Sequence, residues 1–237
     1  MKCAKAMSYP SLTIVARSIA PPESLLPCEF NFPDPLFAPP EGLVAQGGNL
    51  EPETIVEAYR RGLFPWPHDG VDTLWWSPDP RAILLEAGLH ISRRFARMLR
   101  QHRFHITVDN AFERVISSCA DREDGTWITP AIVNAYMALH NLGWAHSIEV
   151  WSPENDLIGG LYGLRVGALF GAESMFHFRN DASKVALVAL TQYAQDSGIK
   201  LIDVQVQNAH LRSMGICEIS RASYCKLAYQ LTGEASS

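Results

Sequence analysis

Ten residues, Leu201-Ile-Asp-Val-Gln205-Val-Gln-Asn-Ala-His210, hold the densest run of groups able to do chemistry. They alternate. Ile202, Val204 and Val206 fall on one face of an extended strand, and Asp203, Gln205 and Gln207 on the other. An acid and two amides together offer a proton acceptor, hydrogen-bond acceptors and donors. A half-buried edge strand with a solvated polar face would show the same alternation, so the ten residues alone leave both readings open. Glu173, within Phe170-Gly-Ala-Glu173-Ser-Met-Phe176, is a second candidate acid. A carboxyl among Phe, Met and Ala is either paired or poised for reaction.

Two further stretches have the chemistry of a nucleic-acid partner. Residues 87–108 contain no Asp or Glu but hold Arg93, Arg94, Arg97, Arg100 and Arg103 with three histidines. Arg93, Arg97 and Arg100 are spaced four and three apart, which lines them on one helical face, with Phe95, Met98 and Leu99 turned toward a core. A solvated surface is the plain alternative to phosphate contact. Trp66, Trp75 and Trp76 lie within 11 residues, held between prolines. Those prolines exclude a regular helix there. Flat rings on stiff loops make pocket walls or base-stacking platforms, or else fasten a small domain onto a larger one.

The elements that must position these groups follow from pattern. Residues 183–196 form an apolar helix ended by Gly198, directly before the polar strand. Pro52 starts a helix and Gly62 ends it. Thr129 caps another that begins at Pro130 and closes at Gly143. Residues 145–151 alternate as a strand, and 157–164 and 168–176 form two more joined by a turn near Gly167. Gly159, Gly160, Gly163 and Gly171 inside these strands point to bulges or close approach. Residues near 12–19 suggest one further strand. Gly47 and Gly48 favour an unusual turn, but no strand and second acid accompany them as a dinucleotide loop requires. If the proline-held tryptophans fasten a small domain onto a larger one, the boundary falls near residue 80, between a small segment, 1–79, and a larger one, 80–237.

Bulk numbers narrow the function classes. The 237 residues are 47% hydrophobic and 19% charged, enough for a real core. No apolar run approaches the roughly 20 residues of a membrane span, and no signal-peptide pattern opens the chain. The five cysteines form no C-x-x-C pair, which argues against a zinc site and suits a cytoplasmic location. The net charge of −5 makes any nucleic-acid contact a local matter.

Several ordered blocks carry a resemblance: Gly62-Leu-Phe-Pro-Trp66, Leu74-Trp-Trp-Ser-Pro-Asp-Pro-Arg81, His90-Ile-Ser-Arg93, Gly125-Thr-Trp-Ile128, Ala145-His-Ser-Ile-Glu-Val-Trp151, Glu173-Ser-Met-Phe176, Ala182-Ser-Lys184 and Leu201-Ile-Asp-x-Gln205. Over roughly residues 30–230 the chain resembles bacterial leucyl/phenylalanyl-tRNA–protein transferases. The resemblance implies an α+β protein: a small N-terminal domain and a larger acetyltransferase-like (GNAT-like) mixed α/β domain. It implies transfer of leucine or phenylalanine, and less well methionine, from aminoacyl-tRNA to the N-terminal Lys or Arg of acceptor proteins, marking them for N-degron degradation. By position, Asp203, Gln205 and Glu173 match the family's catalytic residues, and Trp66 and Trp127 the aromatics near the aminoacyl-adenosine. Leu161, Phe170, Leu190 and Ile202 match the amino-acid side-chain pocket, and the basic helix the tRNA surface. The chain departs from the family pattern at Val204 (Cys expected), Ala172 (Gly), His177 (a small polar residue), Leu161 (Met) and Leu190 (Phe).

Aminolysis of an aminoacyl ester needs no metal, cofactor or covalent intermediate, and the sequence offers no G-x-S-x-G and no convincing cysteine nucleophile. Cys119 reads as a small core residue. On this expectation Asp203 orients the amine or relays its proton, Gln205 steadies the oxyanion, and a negative Glu173 and Asp203 attract basic N-termini. Two rivals remain. An acyl-coenzyme A-dependent N-acyltransferase would need a pyrophosphate loop, to which Arg212-Ser-Met-Gly215-Ile-Cys217 is the nearest approach. A non-enzymatic tRNA- or N-terminus-binding adaptor would transfer nothing.

Overall fold

Alternating apolar residues across 145–177 build three long neighbouring strands, and the rest of the chain packs on their two faces. The structure, a computed structural model, describes residues 10–16, 21–68, 70–85, 89–101, 103–122 and 125–233. In chain order the strands are β1 (Ile14–Ala16), β2 (Leu43–Gln46), β3 (Phe64–Pro65), β4 (Leu74–Trp76), β5 (Arg81–Leu85), β6 (His105–Val108), β7 (Ala145–Trp151), β8 (Leu157–Val166), β9 (Leu169–His177), β10 (Leu201–Gln205) and β11 (Cys217–Ile219). The helices are α1 (Pro52–Arg60), α2 (Arg93–Leu99), α3 (Phe112–Ala120), α4 (Pro130–Asn141), α5 (Ala182–Ser197), α6 (Ala209–Ser213) and α7 (Arg221–Thr232).

Among the described residues the large sheet runs β1-β6-β7-β8-β9-β10-β5-β11, and a small one runs β2-β4-β3. The large sheet is mixed: β1 with β6 and β9 with β10 are parallel, the other pairs antiparallel. Period-two alternation splits its side chains into two cores. Tyr162, Leu164 and Leu201 join α1, α3, α4 and α7 on one face. Leu161, Phe170 and Ile202 join α5 on the other. This is the mixed α/β architecture that the resemblance implies.

Most expected elements are present. Pro52 opens α1, and Gly62 takes φ 84° just past its end. The Thr129 side chain accepts from Ile132 N–H to cap α4. Gly198, with φ 79°, ends α5. Strand β1 lies in the expected 12–19 stretch. Residues 17–19, Cys3, His102 and loop residues 123 and 124 lie outside the described residues. The first 79 residues supply the small sheet and α1, and they share a core with the rest, where Tyr59 and Trp75 are fully buried beside Tyr136 and Leu164.

The polar strand differs from its expectation. It is neither an edge strand nor half-solvated. β10 sits between β9 and β5, and all five of its residues are buried. Its alternation stops early, because a bulge falls between Asp203 and Gln205, with Gln205 at φ 57°. Val206 consequently leaves the apolar face and is 46% exposed. A bulge adds a residue and re-aims the side chains that follow it.

Candidate active site

The site begins where two parallel strands part. β10 pairs with β9 only through Leu201–Leu169, Ile202–Phe170 and Asp203–Gly171. Beyond that point Val204 and Gln205 diverge from Ala172 and Glu173, and a cleft of about 150 Å³ opens. Its walls are Phe64, Pro65, Trp66 and Trp127, and Glu173, Val204, Gln205 and Val206 complete it. The small sheet delivers Trp66, whose backbone N–H donates to Leu74 O at 3.0 Å. Of the three clustered tryptophans, Trp66 meets the cleft and stays 37% exposed, whereas Trp75 is the buried fastener and donates its indole N–H to Gly47 O at 2.9 Å.

Asp203 does not reach the cleft. It lies at zero exposure, its Oδ1 accepting from Arg81 Nε at 2.8 Å and its Oδ2 from Arg81 Nη2 at 2.6 Å. The Tyr224 hydroxyl donates to Oδ2 at 2.7 Å, and Gln205 N–H donates to Oδ1 at 2.9 Å. Arg81 is equally buried, between the rings of Phe64 and Tyr224. Burial alone would lower the Arg81 pKa, but Asp203 beside it more than offsets this and raises it. The pair is a buried bidentate salt bridge, and Asp203 holds the left-handed Gln205 backbone through one N–H. Left-handed backbone costs a non-glycine residue about 1–2 kcal/mol, so this conformation needs such a hold.

Glu173 faces the opening from β9. The Tyr59 hydroxyl donates to its Oε1 in a short hydrogen bond, and the Tyr136 hydroxyl lies 3.4 Å from that of Tyr59. Gly171 makes room for this contact, since a Cβ there would stand 2.4 Å from the Tyr59 ring. Burial pushes the Glu173 carboxyl up to about 8, against the opposing pull of the Tyr59 hydrogen bond, with the negative Asp203 adding to the rise. Burial and the same carboxyl keep both tyrosines well above their ordinary range, so both are hydroxyl donors. The Gln205 amide has two orientations. In one, Nε2 donates to Glu173 Oε1 at 3.5 Å. In the other, it donates to Val204 O and Ala172 O at 3.0 Å each. The second satisfies two carbonyls and turns the amide oxygen toward the carboxyl, a favourable contact when Glu173 carries a proton.

The expected pair of negative charges is thus not offered to the cleft. Arg81 neutralises Asp203, and Glu173 is mostly protonated at pH 7. Spacing gave no sign of Arg81 as the Asp203 partner, because 122 residues separate them. Tyr59, too, reaches the site only through the fold. Leu161, Phe170, Leu190 and Ile202 do come together, in one apolar cluster with none more than 3% exposed, but they lie outside the cleft lining. Arg93, Arg97 and Arg100 are exposed on and just beyond α2, while Phe95 and Leu99 are buried. Burial pushes the Cys119 thiol up to about 12, so it is no nucleophile at neutral pH. Among the described residues no group of three His, Cys, Asp or Glu side chains gathers as a metal site would require.

Comparison with known proteins agrees in extent and order. The family model described as leucyl/phenylalanyl-tRNA protein transferase matches residues 83–229, and that of its N-terminal domain matches residues 48–79. Leucyl/phenylalanyl-tRNA–protein transferases from Anaeromyxobacter sp. (strain Fw109-5) and Pseudomonas aeruginosa (strain UCBPP-PA14) are 48% and 49% identical. They cover 84% and 83% of this chain and 86% and 88% of their own lengths. That of Pseudomonas putida (strain W619) is 50% identical over 81% of this chain and 86% of its own. With family models matching residues 48–79 and 83–229 and relatives 48–50% identical over more than four fifths of its length, the chain belongs to the leucyl/phenylalanyl-tRNA–protein transferase family.

Proposed function

We propose that this protein transfers leucine or phenylalanine, and less well methionine, from aminoacyl-tRNA to the N-terminal Lys or Arg of acceptor proteins. The reaction takes place in the cytoplasm and marks the acceptors for N-degron degradation. No described helix is long and apolar enough to cross a membrane. The observation that carries the reading is the cleft between Trp66 and Trp127, which brings Gln205 and a largely protonated Glu173 together.

In this reaction the acceptor amine forms a bond to the ester carbonyl carbon, and the bond to the 3′ oxygen of the terminal adenosine breaks. One proton leaves the amine and one arrives on that oxygen. The α-amino group has a reference pKa of about 7.7–8.0, so part of it is neutral at cellular pH. Gln205 Oε1 accepts a hydrogen bond from the attacking amine and aims its lone pair. Glu173, holding a proton up to about pH 8, hands it to the departing oxygen and recovers one from the amine. Asp203 acts one step back, fixing Gln205 through its backbone, and Arg81 holds Asp203 in place through two hydrogen bonds.

Trp66 and Trp127 supply stacking faces for the terminal adenosine. Arg93, Arg97 and Arg100 supply phosphate contacts. Leu161, Phe170, Leu190 and Ile202 receive the amino-acid side chain. Supporting this last role, the four side chains are apolar and lie in one buried cluster, and Met175, cross-strand from Leu161, lines a surface groove. The test is to mix tRNA charged with labelled leucine, the protein, and acceptors beginning with Arg or with Ala. Label on the Arg acceptor alone is expected. No label on either returns the protein to the adaptor reading, and label from acyl-coenzyme A to the acyltransferase one.

A further inference from the structure

One guanidinium stands behind both walls of the cleft. Arg81 carries N–H groups on three nitrogens, and all three are engaged. Nε and Nη2 take the Asp203 carboxylate and, through it, the Gln205 backbone. Nη1, outside that fork, donates to Gly62 O at 3.2 Å. The rings of Phe64 and Tyr224 lie 4.6 and 4.3 Å from the central carbon.

The Gly62 arm bears on the donor side. Gly62 follows α1 and opens the stretch that leads through Phe64 and Pro65 to Trp66. Within it β3 is an edge strand of two residues, too short to hold a rigid wall through its own ladder. Phe64 lines the cleft, and its ring is 6.4 Å from that of Trp66. Contact therefore runs from the guanidinium through Phe64 to Trp66. The same turn also reaches the acid, since Gly62 N–H donates to Tyr59 O at 3.1 Å and the Tyr59 hydroxyl binds Glu173. A lysine could keep a charge beside Asp203, but it has neither the second arm nor the flat face.

We propose that Arg81 is a positioning residue for the donor nucleoside as well as for the reacting strand. It sets the place of Trp66 through the Gly62 carbonyl and the Phe64 ring, while its other edge sets Gln205 through Asp203. This rests on the aminoacyl-tRNA reading above.

The probe is the 3′-amide analogue of leucyl-adenosine, in which nitrogen replaces the ester oxygen so that the compound binds without reacting. Its Kd is measured for wild type, Arg81→Lys, Trp66→Ala and the double variant, beside single-turnover transfer from leucyl-tRNA. Arg81→Lys is expected to weaken the analogue about tenfold, the lower part of the range for losing one stacking contact. In the Trp66→Ala background the lysine change should alter Kd by no more than about twofold, because the wall it acts through is gone. Tyr224→Phe removes a hydrogen bond to Asp203 but keeps the ring on Arg81. It should slow transfer and leave the Kd of the analogue unaltered. If Arg81→Lys does not fold, Phe64→Leu, which removes the ring between Arg81 and Trp66, enters the same cycle with the same expectation. An unaltered Kd in Arg81→Lys overturns the inference. So does a lysine effect of equal size with and without Trp66, or a Tyr224→Phe variant that loses as much affinity, since either is a general loosening of the core. Wild type that transfers leucine yet does not bind the analogue removes the nucleoside wall and the inference with it. Failure of wild type to transfer leucine from leucyl-tRNA would instead overturn the underlying function.

Discussion

Replacing Arg81 by Met separates what the buried ion pair does for folding from what it does for chemistry. Both side chains are at zero exposure, and the pair is bidentate, at 2.8 and 2.6 Å. Arg81→Met leaves an ionised Asp203 with only Tyr224 and one backbone N–H, and Asp203→Leu strands the guanidinium. Breaking one side of such a pair costs about 3–5 kcal/mol. For a chain of this size that is a fall in Tm of roughly 6–20 °C. The double variant buries no charge and is expected to regain most of that stability, because apolar replacements of buried pairs are often neutral. Activity should not return with it. Without Asp203 nothing accepts from Gln205 N–H, and the strained backbone at φ 57° relaxes. A displacement of about 1 Å at a reacting group can cost about 10²-fold in turnover. The assay is calorimetric melting of all four proteins beside single-turnover transfer at saturating leucyl-tRNA. A double variant that melts like wild type and also transfers leucine at the wild-type rate would refute the positioning role of Asp203.

Three other outcomes are expected. Plotted against pH, kcat/KM should rise as the acceptor amine loses its proton and fall again above about 8, because the protonated form of Glu173 is lost as pH rises through its midpoint. Glu173→Gln should be slower throughout and lack the falling limb, and a limb that persists assigns it to another group. Replacing Arg93, Arg97 and Arg100 together by Glu should weaken tRNA binding whichever amino acid is carried, and flatten the log–log salt slope by roughly 2–3. An unchanged slope makes that face an ordinary solvated one. Leu190→Phe should reduce phenylalanine transfer more than leucine transfer, by filling space in a cluster already fully buried. A kcat/KM ratio that stays put or moves toward phenylalanine removes Leu190 from the pocket.

Much of this fold could be read directly because its signals are local. Pro52 and Gly62 frame α1, Thr129 and Pro130 start α4, and Gly198 stops α5, each through backbone geometry that neighbouring residues dictate. The site was legible in its residue types and not in their arrangement. Asp203 and Gln205 alternate in sequence as if they shared a wet face. The bulge between them puts Gln205 at the cleft and leaves Asp203 in the core. Which of two acids is buried with a cation depends on a contact 122 residues away, and no periodicity encodes that. The glycines of β8 and β9 signalled close approach without naming a partner. At Gly171 the partner is Tyr59, from a helix more than a hundred residues earlier.

The central claim is that the chemistry occurs where β9 and β10 part, with Gln205 at the reacting amine. The most direct measurement is single-turnover transfer by Gln205→Ala at saturating leucyl-tRNA and an acceptor beginning with Arg, alongside the affinity for the same tRNA. The account predicts a rate lowered about 10²-fold, as for a reacting group left misplaced, with affinity nearly unaltered. Transfer at the wild-type rate would contradict it.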